Sequence, residues 1–513
     1  MSATSPCPIV RRRSRHPGMP AMLALLFLLA LGLSFHAAAH VNNPYIVFEG
    51  RAGTLPVQVV IRQPDVVPGL AEITVQVLQG RPDRVQVLPL HWRTDRSGAP
   101  SPDDARPIPG ETNRYAGELW LMTRGAHGIE VRVDAPGGGT VLVPVNSESH
   151  ARKPMPSWLG WILGGLCAAL ALGVVAIAIA AARESTLPPE TAPRRPRLMA
   201  AGISGAVALG LVLMATAGFG AWWRRVDDSH QRRMLYRQYT HEVVQQSEGD
   251  EDRLDLEITD PRRRDPAHQL VEDHGKKAHL FLVGEQAAGG IPAFAHLHPE
   301  ESGNGRFTTT LPALPSGSYR VFTELAHAAG FTQTLTNRVA LTGLRPAALD
   351  RDSAWAPAAP TPAPGAVSIG DGLSLQLETA ALRAGEPAVL KARVRQADGS
   401  PAFLEPYLRM LGHAVFQRDD GAVFAHLHPA GSLSMAAARV FAAKLDGDAG
   451  ARAADANCGD LEAVPPAEAA ALGRSGEVRF PCVFPSAGRY FVWIQVRVEG
   501  QVRTAPFLVT VAE

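Results

Sequence analysis

Phe294-Ala295-His296-Leu297-His298-Pro299 recurs as Phe424-Ala425-His426-Leu427-His428-Pro429. On a strand, side chains at i and i+2 share a face, so each copy aims two imidazoles the same way. A further histidine stands upstream of each copy, His279 and His413. The second copy carries its own turn: Asp419-Asp420-Gly421 separates His413–Arg418 from the run Ala422–His428. Asp-Gly is a strong hairpin signal. With Asp420-Gly421 as a two-residue loop, His413 lies opposite His428, and His426 sits diagonally on the same face. A four-residue loop, Arg418 to Gly421, pairs His413 with His426 and keeps the face. A three-residue loop without a bulge reverses it. In the first copy the connection from Gly284 to Ile291 is longer and fixes no register. Asp273 and His274, just upstream, are further candidate ligands.

The repeat extends beyond the histidines. Gly317-Ser318-Tyr319-Arg320-Val321-Phe322-Thr323 parallels Gly488-Arg489-Tyr490-Phe491-Val492-Trp493-Ile494, each after a Pro-Ser pair. Two related β domains are therefore expected, 251–345 and 367–513, joined by an Ala/Pro-rich linker at 346–366. Upstream, Pro56–Arg62 and Ala71–Val77 alternate apolar and polar residues, as half-buried strands do. Short strands at this spacing make 40–150 a third β domain of sandwich type.

Two apolar stretches, 158–182 and 198–223, are long enough to cross a bilayer. The segment between them, 183–197, contains Arg183, Arg194, Arg195 and Arg197. The positive-inside rule places it in the cytoplasm. Residues 1–39 read as a signal peptide, with Arg11-Arg12-Arg13, an apolar run from Met22 to Leu33, and Ala37-Ala38-Ala39 before a cut at His40. The soluble mass is then expected in the periplasm, held to a bacterial inner membrane. Lys+Arg 50 against Asp+Glu 49 is a balanced charge, and no motif or basic field points to nucleic acid. Of four cysteines, Cys7 lies in the signal and Cys167 in an apolar stretch. Cys458 and Cys482 are expected to form a disulfide in an oxidising compartment.

Clustered imidazoles suit copper, zinc, nickel or iron. The expected ligands are His279, His296 and His298 in one domain and His413, His426 and His428 in the other, with His274 as an addition. His327 is a weaker candidate. Met410 and Met435 could offer a thioether, or simply pack in a core. No cysteine adjoins either cluster, which argues against a blue-copper site. A catalytic zinc needs three ligands and an open position, but no general base is evident. The competing reading is structural, with the histidines bonding backbone carbonyls. If the signal is cut before His40, that residue's amino group and ring could chelate copper as a histidine brace. Such an end resembles the mature termini of CopC-like copper carriers, with His91 or His127 as the further ligand.

The two C-terminal units resemble the YtkA-like group of extracytoplasmic β domains. The resemblance rests on Asp273-His274-Gly275-Lys276, Ala278–Val283 and Phe294–Pro299, and on Leu404–Tyr407, Leu411–Val415 and Phe424–Pro429. It implies immunoglobulin- or cupredoxin-like sandwiches and suggests copper handling. The expected architecture is thus mainly β, three such sandwiches plus two transmembrane helices. The expected function is a membrane-anchored periplasmic copper-binding protein, not an enzyme, for sequestration or delivery to a copper-dependent oxidase or copper exporter. A metal-free membrane scaffold and a copper enzyme built on His40 are the alternatives.

Overall fold

The computed structural model describes residues 43–513, apart from residue 95 and the segments 149–154, 189–190, 235–236, 250, 262–264, 267–268, 286–289, 304 and 360–364. The expected signal segment and His40 lie outside the described residues. The described chain is mostly β. Its six sheets pair into three sandwiches of immunoglobulin-like type, accompanied by two long apolar helices.

The first sandwich, spanning Tyr45 to Ser147, packs a five-stranded against a four-stranded sheet. Alternation works here as expected: along Gly69–Val77, Ala71, Ile73, Val75 and Val77 face the core. The helices follow, α1 at Ser157–Glu184 and α2 at Arg195–Met234. Both are long and apolar enough to cross a membrane. They touch through small residues: Ser204 Oγ donates to Ala178 O at 3.0 Å. A Cβ on Gly205 would stand 2.7 Å from the Ile179 side chain.

The second sandwich starts earlier than position 251, because Thr240–Glu248 pairs with residues 251–259 of the strand Glu251–Asp260. The expected linker is also more ordered than its Ala/Pro content suggests. Ala354–Ala356 adds an edge strand to the second sandwich beside Phe294–Leu297. The third sandwich combines sheets built from Ala366–Val483 and from His413–Val511.

Both histidine hairpins adopt one register. Ala414 faces Leu427 and Val415 faces His426, which sets His413 against His428, the two-residue-loop pairing. Leu280 faces Leu297 and Phe281 faces His296, so His279 stands against His298 in the same way. Every residue of Ala278–Val283 is buried. One face, with Leu280 and Leu282, joins the sandwich's own core, while Phe281 and Val283 belong to a separate apolar cluster. That cluster joins the two domains, since it also contains Val415, Phe424, Phe491 and Trp493. The contacts are reciprocal. Phe294 stacks on Trp493 (4.6 Å, 10°) and Phe424 stacks on Phe322 (4.0 Å, 10°). Phe294 and Phe424 are repeat equivalents, as are Phe322 and Trp493 by register. The duplicated domains therefore pack face to face about a pseudo-twofold axis.

The Ala- and Asp-rich insertion of the third sandwich is helical: α3 at Met435–Asn457, capped by Ser434, and α4 at Pro466–Arg474. It reaches the first sandwich, where Met435, Ala438 and Cys458 enter that domain's core. Here the expected disulfide fails. Cys458 and Cys482 are both free and buried. Cys482 lies on the strand Glu477–Val483 in the third sandwich's core, so the two thiols belong to different packed layers. Burial pushes both thiols up in pKa. Neither should react with a thiol reagent in the folded protein. Unfolding without reductant should release both; a pair found oxidised by intact mass would contradict this arrangement.

Candidate metal centre

The paired hairpins bring all six expected histidines, and His274, into one cluster between the second and third sandwiches. Each of the seven is at most 5% exposed. Two groups of imidazole nitrogens lie within 4.8 Å of one another: His279 with His296 and His298, and His274 with His413 and His428. His426 adjoins both, its ring 4.5 Å from that of His428 and 5.4 Å from that of His296. His274 leaves its own domain's triad and joins that of the other, with Nε2 3.0 Å from His428 Nε2.

The far side of each ring assigns its tautomer, because a carbonyl oxygen only accepts. His279 Nε2 donates to Asp273 O (3.0 Å), leaving Nδ1 bare. His296 Nδ1 donates to Gln495 Oε1 (2.8 Å), leaving Nε2 bare. Ser353 Oγ gives its proton to Asp350 and so accepts from His298 Nδ1 (3.3 Å), which leaves His298 Nε2 bare. Those bare atoms then face each other: His279 Nδ1 is 3.2 Å, and His298 Nε2 3.1 Å, from His296 Nε2.

The second hairpin repeats the scheme. His413 Nε2 donates to Tyr407 O (3.2 Å) and His428 Nδ1 to Leu433 O (3.1 Å). His426 Nδ1 meets Glu324 Oε2 at 2.9 Å. With Glu324 ionised, His426 Nε2 is bare and faces the bare His413 Nδ1 at 3.1 Å. These second partners swap across the axis. Glu324 of the second sandwich holds His426 of the third, while Gln495 of the third holds His296 of the second. By register they are equivalents, opposite His279 and His413 respectively.

Lone pairs facing at this range repel unless a cation lies between them. Nitrogens about 2.0–2.1 Å from one metal at tetrahedral angles stand about 3.3 Å apart. Rings with one nitrogen fixed by a carbonyl or carboxylate and the other bare and convergent are what metal ligation needs. The residues therefore fit a metal.

Burial, reinforced by neighbouring imidazoles, holds His274, His296, His298, His413 and His426 well below the usual histidine range. Burial lowers His428 also, against the pull of Asp273 and Glu324. Burial pushes Glu324 up to about 7.

His274 has φ +54° and Gly275 φ +79°, a left-handed turn. Leu408 and Arg409, the equivalent pair, have φ +48° and +67°, so the turn belongs to the fold and only its side chain differs. Asp273–Lys276 and Tyr407–Met410 form matching bridges.

Other candidates lie elsewhere. His327 Nε2 bonds Gln333 Nε2 at 2.8 Å, outside the cluster. Met410 and Met435 pack in the first sandwich's core cluster. His91 and His127 face each other across a strand pair, ring centroids 4.8 Å apart. Glu324, Gln495 and Ser353 were not foreseen. The signal for Glu324 and Gln495 was their repeat position, one residue beyond the aligned Gly-Ser-Tyr and Gly-Arg-Tyr segments.

A family model described as a domain of unknown function (DUF8832) matches residues 237–342 and 366–513, the two histidine-bearing sandwiches. No curated protein matches the chain. Among solved structures, Escherichia coli alpha-2-macroglobulin is similar at 10% identity and TM-score 0.19, over 91% of this chain and 23% of that one. PorU from Porphyromonas gingivalis is similar at 8% identity and TM-score 0.15, over 91% and 34%. A membrane-anchored protein from Corynebacterium diphtheriae is similar at 10% identity and TM-score 0.14, over 89% and 90%. This chain thus spans about a quarter of the alpha-2-macroglobulin length, and none of these likenesses bears on the site.

Lowered histidine pKa values have a definite sign. Below about pH 6.5 the unfolded chain takes up protons that the folded chain refuses, so stability is present above that pH and lost as pH falls. Each such group contributes a slope of up to about 1.4 kcal/mol per pH unit. His127, His241 and His327, pushed down to about 4 by burial, act in the same direction. Chelator-treated protein should show a Tm that falls steadily from pH 7 to pH 5; a flat profile would contradict the neutral cluster.

Proposed function

We propose that this chain is a membrane-anchored metal-binding protein, with copper as its metal, that sequesters or delivers the ion. The observation that carries this reading is the set of bare imidazole nitrogens facing one another at 3.1–3.2 Å while their far nitrogens donate outward. All-imidazole ligation suits copper, which binds nitrogen sites most tightly among the divalent first-row ions. The resemblance to YtkA-like domains points the same way. Complete burial of the cluster favours holding an ion over turning over a substrate.

Two candidate spans with an arginine-bearing connection support a topology with the first sandwich and the histidine sandwiches on one side of the membrane. We place them in the periplasm of a bacterial inner membrane, after removal of a signal segment. A copper-dependent oxidase or a copper exporter is the partner class such a carrier would serve. The metal-free scaffold reading has its own support in the Phe294–Trp493 and Phe424–Phe322 stacks, which join the domains without an ion.

Detergent-solubilised full-length protein, stripped and then incubated with copper, should retain it through gel filtration. A His296→Ala/His426→Ala variant, folded by circular dichroism, should retain at least tenfold less. Equal retention by both, or none by the wild type, would leave the histidines structural.

A further inference from the structure

We infer that the cluster is a dinuclear centre, with one ion on His279, His296 and His298 and a second on His413, His428 and the other domain's His274. This rests on the metal-binding reading above and goes beyond it by adding a second ion and a ligand that crosses the domain interface.

Two observations lead there. Each triad is complete in itself, with all its ligand atoms within 4.8 Å. The pseudo-twofold that relates the hairpins sets His413 and His428 in the places of His279 and His298, while His274 stands in the second triad where His296 stands in the first. Symmetry breaks at two positions, and the first bears on the second ion. His274 occupies the turn position held by Leu408 in the other half. Its Nδ1 is buried with no hydrogen-bond partner among the described residues, and its Nε2 is directed at His428 Nε2. A buried imidazole with one unpartnered nitrogen is costly unless the ring serves another purpose. The second break is Glu324 in place of the amide Gln495. His426 lies between the triads, its ring 5.2 Å from that of His413 and 5.6 Å from that of His279.

Asp273 Oδ1 stands 3.4 Å from His274 Nε2, and Glu324 Oε2 stands 2.9 Å from His426 Nδ1, so a carboxylate adjoins each of these rings. Because His274 comes from the second sandwich and His413 and His428 from the third, the second ion binds only when the domains are docked.

The test is anaerobic Cu(I) titration of the full-length protein in detergent, in competition with the chromophoric chelator bicinchoninate. The His274→Leu variant is run beside it. Leucine already occupies the matching turn, so this variant should fold, as circular dichroism and gel filtration would verify. The expected result is two equivalents for the wild type and one for His274→Leu. One equivalent for both proteins overturns the dinuclear centre and leaves the metal-binding reading standing. Two equivalents for both overturn the cross-domain ligand. No binding by the wild type overturns this inference and the function together.

Discussion

The structure turns on the contact between two copies of one β hairpin. Each hairpin buries one face in its own sandwich and presents the other, lined with aromatics and imidazoles, to its duplicate. The aromatics make docking favourable: the two stacked pairs each contribute about 0.5–1.5 kcal/mol beyond the area they bury. The imidazoles oppose it, because their bare nitrogens converge where the rings are buried. A cation shared among them would convert the opposing part into an attraction. Domain docking and the proposed metal binding would then be two views of one equilibrium, since whatever binds only the docked state stabilises it.

The surrounding chain holds this contact in place. Residues 350–356, between the two sandwiches, supply Ser353 for His298. They also supply Asp352, which pairs with Arg497 at 2.6 Å and whose carbonyl accepts from Tyr407. The loop after His428 bonds the first sandwich: Glu49 N donates to Ala430 O at 2.8 Å and Ser432 N to Val47 O at 2.9 Å. Gly431 has φ +118°, and a Cβ there would stand 2.1 Å from Val47 O, so only glycine permits that approach. The strand Tyr45–Ala52 thus reaches to within a few residues of a candidate ligand, and α3 ties the same loop to the first core.

Much of this was legible in the sequence. Strand alternation, the Asp-Gly turn and the duplicated motif specify sandwiches, register and the shared face of His413, His426 and His428. The longer first loop hides the register of His279, yet the fold imposes the same pairing, because the sheet neighbours Gly317–His327 and Gly488–Val498 are themselves repeats. Interdomain geometry was not legible. A strand such as Ala278–Val283, apolar on both faces, reads as buried without saying what covers its second face. Domain docking moved His274 to the opposite triad and matched Glu324 with His426, and no local spacing encodes either. The disulfide expectation failed for a related reason: compartment and cysteine count say nothing of which core each thiol enters. Cys458 instead caps α3, the helix that enters the first sandwich's core.

The measurement that bears most directly on the central claim is anomalous diffraction at the copper edge from crystals of the copper-loaded protein. The account predicts anomalous density among the facing imidazoles, about 2.0–2.1 Å from their bare nitrogens, with the outward bonds to Asp273, Gln495 and Tyr407 kept. Copper found elsewhere, with these rings still in nitrogen–nitrogen contact, would contradict it.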